Sequence, residues 1–481
     1  MEEDYHHLPS FDSEHDLQRI DGVKTFFHEF CIESKKLWSL ASPAISTSIC
    51  QYSIAQITQL FAGHLGVLQL AAVSVENSVI AGLCYGALLG MGSALETLCG
   101  QAYGAKQVDM LGVYLQRSLI ILNTAALALM FLYLFATQIL LLIGQPMDIA
   151  KWAGKFSLWM IPQLFAYAMN FPIQKFLQAQ SKMMVMAIIA AVTLVGHTLL
   201  SWLFMMKMDL GIVAGAVVLN GSWWFMVLAQ FVYIICGTCG EAWSGFSYKA
   251  FENLWGFVRL SLASGVMICL EYWYFMALII SAGYVKDAKI VVDAVSICTS
   301  IVGWTFMLCI GFNAAISVRV SNELGAGHPR TAKFSVLVVS ITSLLIGTIL
   351  TIALFVARSR YPPLFTKSFE VQQAVYELTP LLGTTIMLNG LQPTLSGVAI
   401  GAGWQTYVAY INIVSYYVFG IPLGLIFNFS LDMGVKGMWT GMLLGTTLQT
   451  SILILMISKT NWNKEASVAE ERVKEWRGTN D

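Results

Sequence analysis

Charge is what this sequence has least of. Asp, Glu, Lys and Arg together make up 11% of its 481 residues, against about 25% in an ordinary soluble domain. That scarcity excludes a chain whose whole surface faces water. A net charge of −1 gives no electrostatic reason to bind nucleic acid. Also missing are the short alternating segments of a transmembrane β-barrel. No Walker phosphate loop, HExxH sequence or nucleophile elbow occurs, so ATP hydrolysis and zinc proteolysis have no support. No catalytic residue, metal or cofactor is expected. The nine cysteines are mostly scattered through apolar spans (Cys50, Cys84, Cys269, Cys298, Cys309), where a thiol acts as a small hydrophobe. Cys236 and Cys239 form a lone Cys-x-x-Cys without the second pair that zinc would need, and no disulfide is expected.

What fills the chain instead is apolar: 57% of residues are hydrophobic. Runs long enough to cross a bilayer as helices recur from Leu37 to Ile457. They predict an all-α polytopic membrane protein with spans near 35–62, 68–98, 112–143, 149–179, 183–206 and 212–236, then 255–282, 289–318, 332–356, 372–400, 405–429 and 434–457. The stretch Met1 to Glu33 is acidic (Glu2, Glu3, Asp4, Asp12, Glu14, Asp16, Asp21). It has no apolar core with a small-residue cleavage site, so a mobile tail is expected rather than a signal peptide. The expected organisation is a tail 1–34, a first lobe 35–236, a polar connector 237–254, a second lobe 255–457 and a tail 458–481. An even number of spans puts both tails on one side. Grouping them with alternate connectors gives that face twice as many lysines and arginines as the other, which marks it as cytosolic. The tails supply the whole excess.

The chain also repeats itself. Gly82, Gly90 and Ala94 recur at one common spacing as Gly303, Gly311 and Ala315, and Pro162 and Gln174 recur as Pro380 and Gln392. Six spans per half run in the same direction, so the halves are expected to be related by an axis along the membrane normal, with a substrate site where they meet. Under this alignment Gln51-Tyr52 falls opposite Glu271-Tyr272. One half carries an amide where the other carries an acid.

Glu271 lies well inside the apolar run from Trp255 to Ala282. A charged carboxylate there costs roughly 2.5–3.5 kcal/mol or more, so it should face protein or water and have a task. Protonation removes that cost and changes which neighbours it can hydrogen-bond, which suits it to bias a two-state helix arrangement. It is the expected proton-binding group. Asn389 and Gln392 are its expected partners, with Tyr416 and Tyr417 as further candidates. Gly390 and Pro393 are expected to interrupt the tenth span. Gln51, Glu76, Trp273, Tyr274 and Trp304 are candidates for a substrate cavity. Glu76 has two further readings, a second proton group or a satisfied structural acid. His197 reads as a packing residue, Asp293 and Glu377 as solvated residues near span ends, and Glu96, Arg319 and Glu323 as makers of structural contacts.

Four ordered motifs carry a family resemblance. Glu96-Thr97-Leu98-Cys99-Gly100-Gln101-Ala102-Tyr103-Gly104-Ala105, Cys269-Leu270-Glu271, Arg319-Val320-Ser321-Asn322-Glu323-Leu324-Gly325-Ala326-Gly327 and Leu395-Ser396-Gly397-Val398-Ala399 together resemble plant multidrug and toxic compound extrusion (MATE) transporters over residues 35–460. The resemblance implies twelve helices in two six-helix lobes forming a V-shaped cavity. It also implies proton-coupled antiport of small organic compounds, such as flavonoids, other secondary metabolites or xenobiotics, by a protein expected to act as a monomer in the lipid bilayer. The seventh-helix acid of the family corresponds to Glu271. Where many plant members have an Asp in the tenth helix this chain has Asn389, and where they continue Val-Ala-Arg-Gly it has Val398-Ala399-Ile400-Gly401. With a single acid at that site, one proton per cycle and a neutral or anionic substrate are expected. Members of this kind favour the vacuolar membrane over the plasma membrane. The competing expectation is an anion (halide or organic acid) channel or uniporter on the same fold.

Overall fold

The computed structural model describes residues 15–282 and 288–477. Residues 1–14 and 478–481 of the expected tails lie outside the described residues. Twelve long helices follow one another: α1 (Val23–Leu65), α2 (Val67–Gly104), α3 (Val108–Leu134), α4 (Met147–Ala179), α5 (Met183–Lys207), α6 (Gly211–Thr238), α7 (Leu254–Ala282), α8 (Ala288–Gly325), α9 (Pro329–Ala357), α10 (Phe369–Ala402), α11 (Gln405–Ser430) and α12 (Gly434–Lys459). A thirteenth, α13 (Trp462–Arg477), follows them. No strand occurs among the described residues. Nine of the twelve are, among the described residues, apolar and long enough to cross a membrane. The exceptions, α1, α4 and α10, all carry prolines inside, Pro43, Pro162 and Pro172, and Pro380 and Pro393. α4 and α10 also bury many amides and hydroxyls (Gln163, Asn170, Gln174, Gln178, Thr385, Asn389, Gln392, Thr394), so their polarity is spent on neighbouring helices.

The chain forms two compact units, Met1–Ile45 with Leu270–Asp481, and Ser46–Cys269. The sequence placed the seam in the connector 237–254. The units instead part inside α1 and inside α7, so each of these helices begins in one unit and ends in the other. The repeat explains why the sequence tolerates this. In the Ser46–Cys269 unit, a Cβ on Gly90 of α2 would sit 2.7 Å from Gly265 Cα of α7. At the repeat-related position of the other unit, a Cβ on Gly311 of α8 would sit 2.7 Å from Ile45 N of α1. Each glycine is the point where the exchanged helix half passes too close for any side chain.

The described parts of both tails are structured, whereas the sequence predicts a mobile tail over 1–33. α1 starts at Val23, well before the apolar run. Ahead of it, Asp16 Oδ1 accepts hydrogen bonds from the backbone N–H groups of Arg330 (3.1 Å) and Thr331 (3.0 Å). It thereby satisfies donors that the first turn of α9 leaves without helical partners. Glu33 Oε1 accepts from Arg319 Nε (2.9 Å) and Ser335 Oγ (2.6 Å), and Arg319 Nη1 meets Glu323 Oε1 at 2.7 Å. All three charged side chains are buried. At the other end, α13 buries Trp462, Ala469 and Val473 on one face. Trp404 Nε1 donates to Glu465 Oε2 (3.0 Å), and Arg472 Nη1 donates to Ala402 O (3.3 Å).

Candidate functional site

α7, α10, α11 and α12 bring a polar cluster together within the unit that starts again at Leu270. Glu271 is partly buried. Its Oε1 accepts from Gln392 Nε2 of α10 at 3.0 Å and from Asn412 Nδ2 of α11 at 3.3 Å. Gln392 Nε2 also reaches Ser396 Oγ (3.3 Å) and Tyr416 Oη (3.5 Å). Asn412 Oδ1 in turn accepts from Gln449 Nε2 of α12 at 3.3 Å. Gln392, Ser396, Asn412, Tyr416 and Gln449 are all buried. An amide can present either its N–H or its C=O to the same neighbour by turning over. Two amides around one carboxyl can therefore serve its charged form as donors and its acid form as acceptors.

Local helix geometry aims these groups. Asn412 closes an α-helical segment, and a π-helical stretch, Ile413–Gly420, follows it at once. π turns inside α-helices recur at functional sites. Here the wider turn carries Tyr416 to the Gln392 side of the cluster. Tyr417 Oη donates to Leu270 O (2.9 Å), holding α7 beside α11.

The other expected site residues fall in different places. Asn389 is buried, but its Nδ2 has no hydrogen-bond partner among the described residues and does not reach Glu271. It lines a cavity of about 30 Å³ with Tyr274, Phe275, Leu278, Trp439 and Met442, room for water and not for an organic molecule. Tyr274 is locked into that core. Its ring stacks on Tyr416 at 4.2 Å, and its Oη donates to Met442 O at 2.5 Å. Trp273 and Trp304 are exposed, at 49% and 43%. Gln51 lies in the other unit, partly buried, with Nε2 lacking a partner among the described residues. Glu76, also in that unit, is wholly buried.

The interrupted tenth span is a correction. α10 runs as one helix from Phe369 to Ala402 through both Gly390 and Pro393. Asn313 Nδ2 of α8 donates to the Pro393 carbonyl at 2.7 Å, a side-chain bond that ties α10 to α8 at the level of the proline. Gly390 serves packing. A Cβ there would lie 3.0 Å from Ser343 O and 3.2 Å from Gly347 Cα of α9.

His197 donates and accepts between Thr58 Oγ1 (3.0 Å) and Ser222 Oγ (2.8 Å), a buried packing histidine. Glu96 pairs with Lys175 at 2.7 Å, while Asp293 is exposed and Glu377 meets Lys436 at 2.6 Å in an exposed pair. Asn412 and Gln449 were not singled out from the sequence. Each is an amide in an otherwise apolar span, the same signal that marked Asn389 and Gln392.

Comparison with known proteins agrees with this architecture. The MatE family model matches the chain twice, over residues 43–203 and 263–426, one match in each half. Protein DETOXIFICATION 29 of Arabidopsis thaliana is 61% identical over 463 residues, covering 96% of this chain and 93% of its own length. Protein DETOXIFICATION 32 of the same plant is 59% identical, with coverages of 96% and 90%. Among solved structures, the eukaryotic MATE transporter AtDTX14 superposes with a TM-score of 0.89 at 34% identity, over 92% of this chain and 100% of that one. The Vibrio cholerae MATE transporter VcmN in its bent form shares the fold, with a TM-score of 0.78 at 17% identity over 92% and 99% of the two chains. A doubled family match, twelve helices and relatives at about this level of identity leave one conclusion: the chain belongs to the MATE family, and it is a membrane transporter and not an enzyme.

Proposed function

We propose that this transporter exports small organic compounds in exchange for protons, with Glu271 holding the coupling proton. One observation carries the reading: a carboxyl in the interior of a membrane helix whose hydrogen-bond partners are the reversible amides Gln392 and Asn412. A fixed cation beside Glu271 would keep it charged through any cycle. Amides let it alternate between charged and neutral forms at similar cost. Each form favours a different pairing among α7, α10 and α11, and such a difference is what a two-state transporter needs to bias its conformation. The substrate class, flavonoids, other secondary metabolites and xenobiotics, follows the family and the DETOXIFICATION names of the relatives. The absence of a second acid at Asn389 favours neutral or anionic members of it. The basic residues collected at the chain ends fit both termini being cytosolic, and the vacuolar membrane follows the family alone.

The test is gradient-driven uptake into proteoliposomes, wild type against Glu271→Gln. The variant is expected to lose uptake driven by a pH gradient while still binding substrate. Full gradient-driven uptake by the variant removes Glu271 from the mechanism. Substrate-independent currents that follow voltage and ignore pH would identify a channel instead.

A further inference from the structure

Among the described residues four carboxylates have their side chains almost or wholly withdrawn from solvent: Glu33, Glu76, Glu96 and Glu323. Glu33 and Glu323 share Arg319, and Glu96 faces Lys175. Glu76 has 0% exposure, and neither of its oxygens finds a hydrogen-bond partner among the described residues. It opens a six-residue π-helical segment of α2, Glu76–Ala81. Its neighbours along the helix, Val75 and Val79, pack against a buried apolar cluster of Ala72, Leu140, Ala150 and Ala153. The titratable groups near it are Cys84 on α2 and Tyr133 on α3, a thiol and a phenol. Lys151 and Lys155 at the start of α4 are exposed, and Lys155 lies over Trp152.

An ionised carboxylate withdrawn from water without a partner is so unfavourable that the group takes up a proton instead. We propose that Glu76 is a second proton-binding site, in the Ser46–Cys269 unit and independent of Glu271. The repeat gives the proposal its logic. Gln51 stands where the other half has Glu271, so this half carries its acid on α2 in place of α1. Neutral Glu76 fits the apolar packing of the described conformation. Ionised Glu76 does not, and its charge favours a conformation in which water or a donor reaches it. The π turn, one residue wider than the α-helix on either side, is the local element able to move it. The site does not rest on the assignment of Glu271.

Difference infrared spectroscopy of the purified protein in lipid, titrated with pH, tests this directly. Wild type is expected to show the C=O stretch of an undissociated carboxylic acid that Glu76→Gln removes and Glu271→Gln retains, and that fades reversibly as pH rises. Glu76→Gln is expected to exchange fewer protons per substrate than wild type. A spectrum unchanged by Glu76→Gln overturns the proposal. So does a Glu76 band that persists at every pH the folded protein tolerates, because such an acid never releases its proton. If Glu76→Gln does not fold, wild-type protein treated with dicyclohexylcarbodiimide, which adds to undissociated carboxylic acids in apolar sites, gives a second readout. Mass spectrometry is expected to find adduct on Glu76 that declines with rising pH, and no adduct at any pH refutes the site. Loss of the Glu271 role with the Glu76 band intact would overturn the coupling proposal and leave this one standing.

Discussion

Replacing Arg319 with Met tests how the chain start is held to the helices it packs on. Arg319 donates from Nε and Nη2 to Glu33 (2.9 and 3.0 Å) and meets Glu323 at 2.7 Å. The three side chains are 3%, 6% and 2% exposed. Methionine keeps much of the packing volume and removes the charge, leaving two carboxylates buried side by side. Breaking a buried pair by removing one partner costs roughly 3–5 kcal/mol. A loss of that size lowers the melting temperature of a unit this large by roughly 6–20 °C. The triple variant Glu33→Gln/Arg319→Met/Glu323→Gln removes all three charges, and neutral replacement of a buried ionic group is often harmless. It is expected to recover most of the loss. The assay is thermal unfolding in detergent followed by size-exclusion chromatography. Arg319→Met melting with wild type would refute the argument, and so would a triple variant no better than the single one.

Asn412→Leu removes an N–H donor to a carboxylate worth about 1.5–3 kcal/mol and strands Gln449. Gradient-driven uptake is expected to fall by roughly tenfold or more, and unchanged uptake would exclude Asn412 from the proton cluster. Gly311→Leu places a side chain where Ile45 backbone already stands 2.7 Å from the Cβ position. Overpacking of this kind costs about 1–3 kcal/mol or more, read as lower melting temperature, whereas the same change at Gly196, with open space around its Cβ position, should be nearly silent. Asp16→Ala removes the acceptor over the α9 N-terminus, at a cost of about 0.5–2 kcal/mol. Faster amide hydrogen exchange at Arg330 and Thr331, with the rest of α9 unchanged, is the expected signature.

The spans were legible because bilayer crossing imposes one length and one composition on every helix, and the repeat was legible because close helix contacts admit only glycine. Glu271 stood out for the same reason a charge always does in an apolar run. Three things were hidden. Gln392 and Asn389 look alike in sequence, yet lie almost one helical turn apart on α10, and the helix phase alone decides which of them reaches the acid. The expectation that Gly390 and Pro393 would break α10 failed because a sequence shows a withdrawn donor but not the neighbouring helices that hold α10 in line, α9 against Gly390 and α8 through Asn313. Local rules also could not reveal the exchanged halves of α1 and α7, which depend on contacts far along the chain.

The bond between Glu33 and Arg319 joins residues 286 positions apart. On a ribosome adding about 5–20 residues per second, Glu33 is made roughly 15–60 s before its anchor exists. Until Leu270 is made, the leading half of α1 has no later helix of its own unit to settle against. Biogenesis of this transporter must therefore either leave the opening helix provisionally placed in the lipid or hold it with an insertion factor until the later helices arrive.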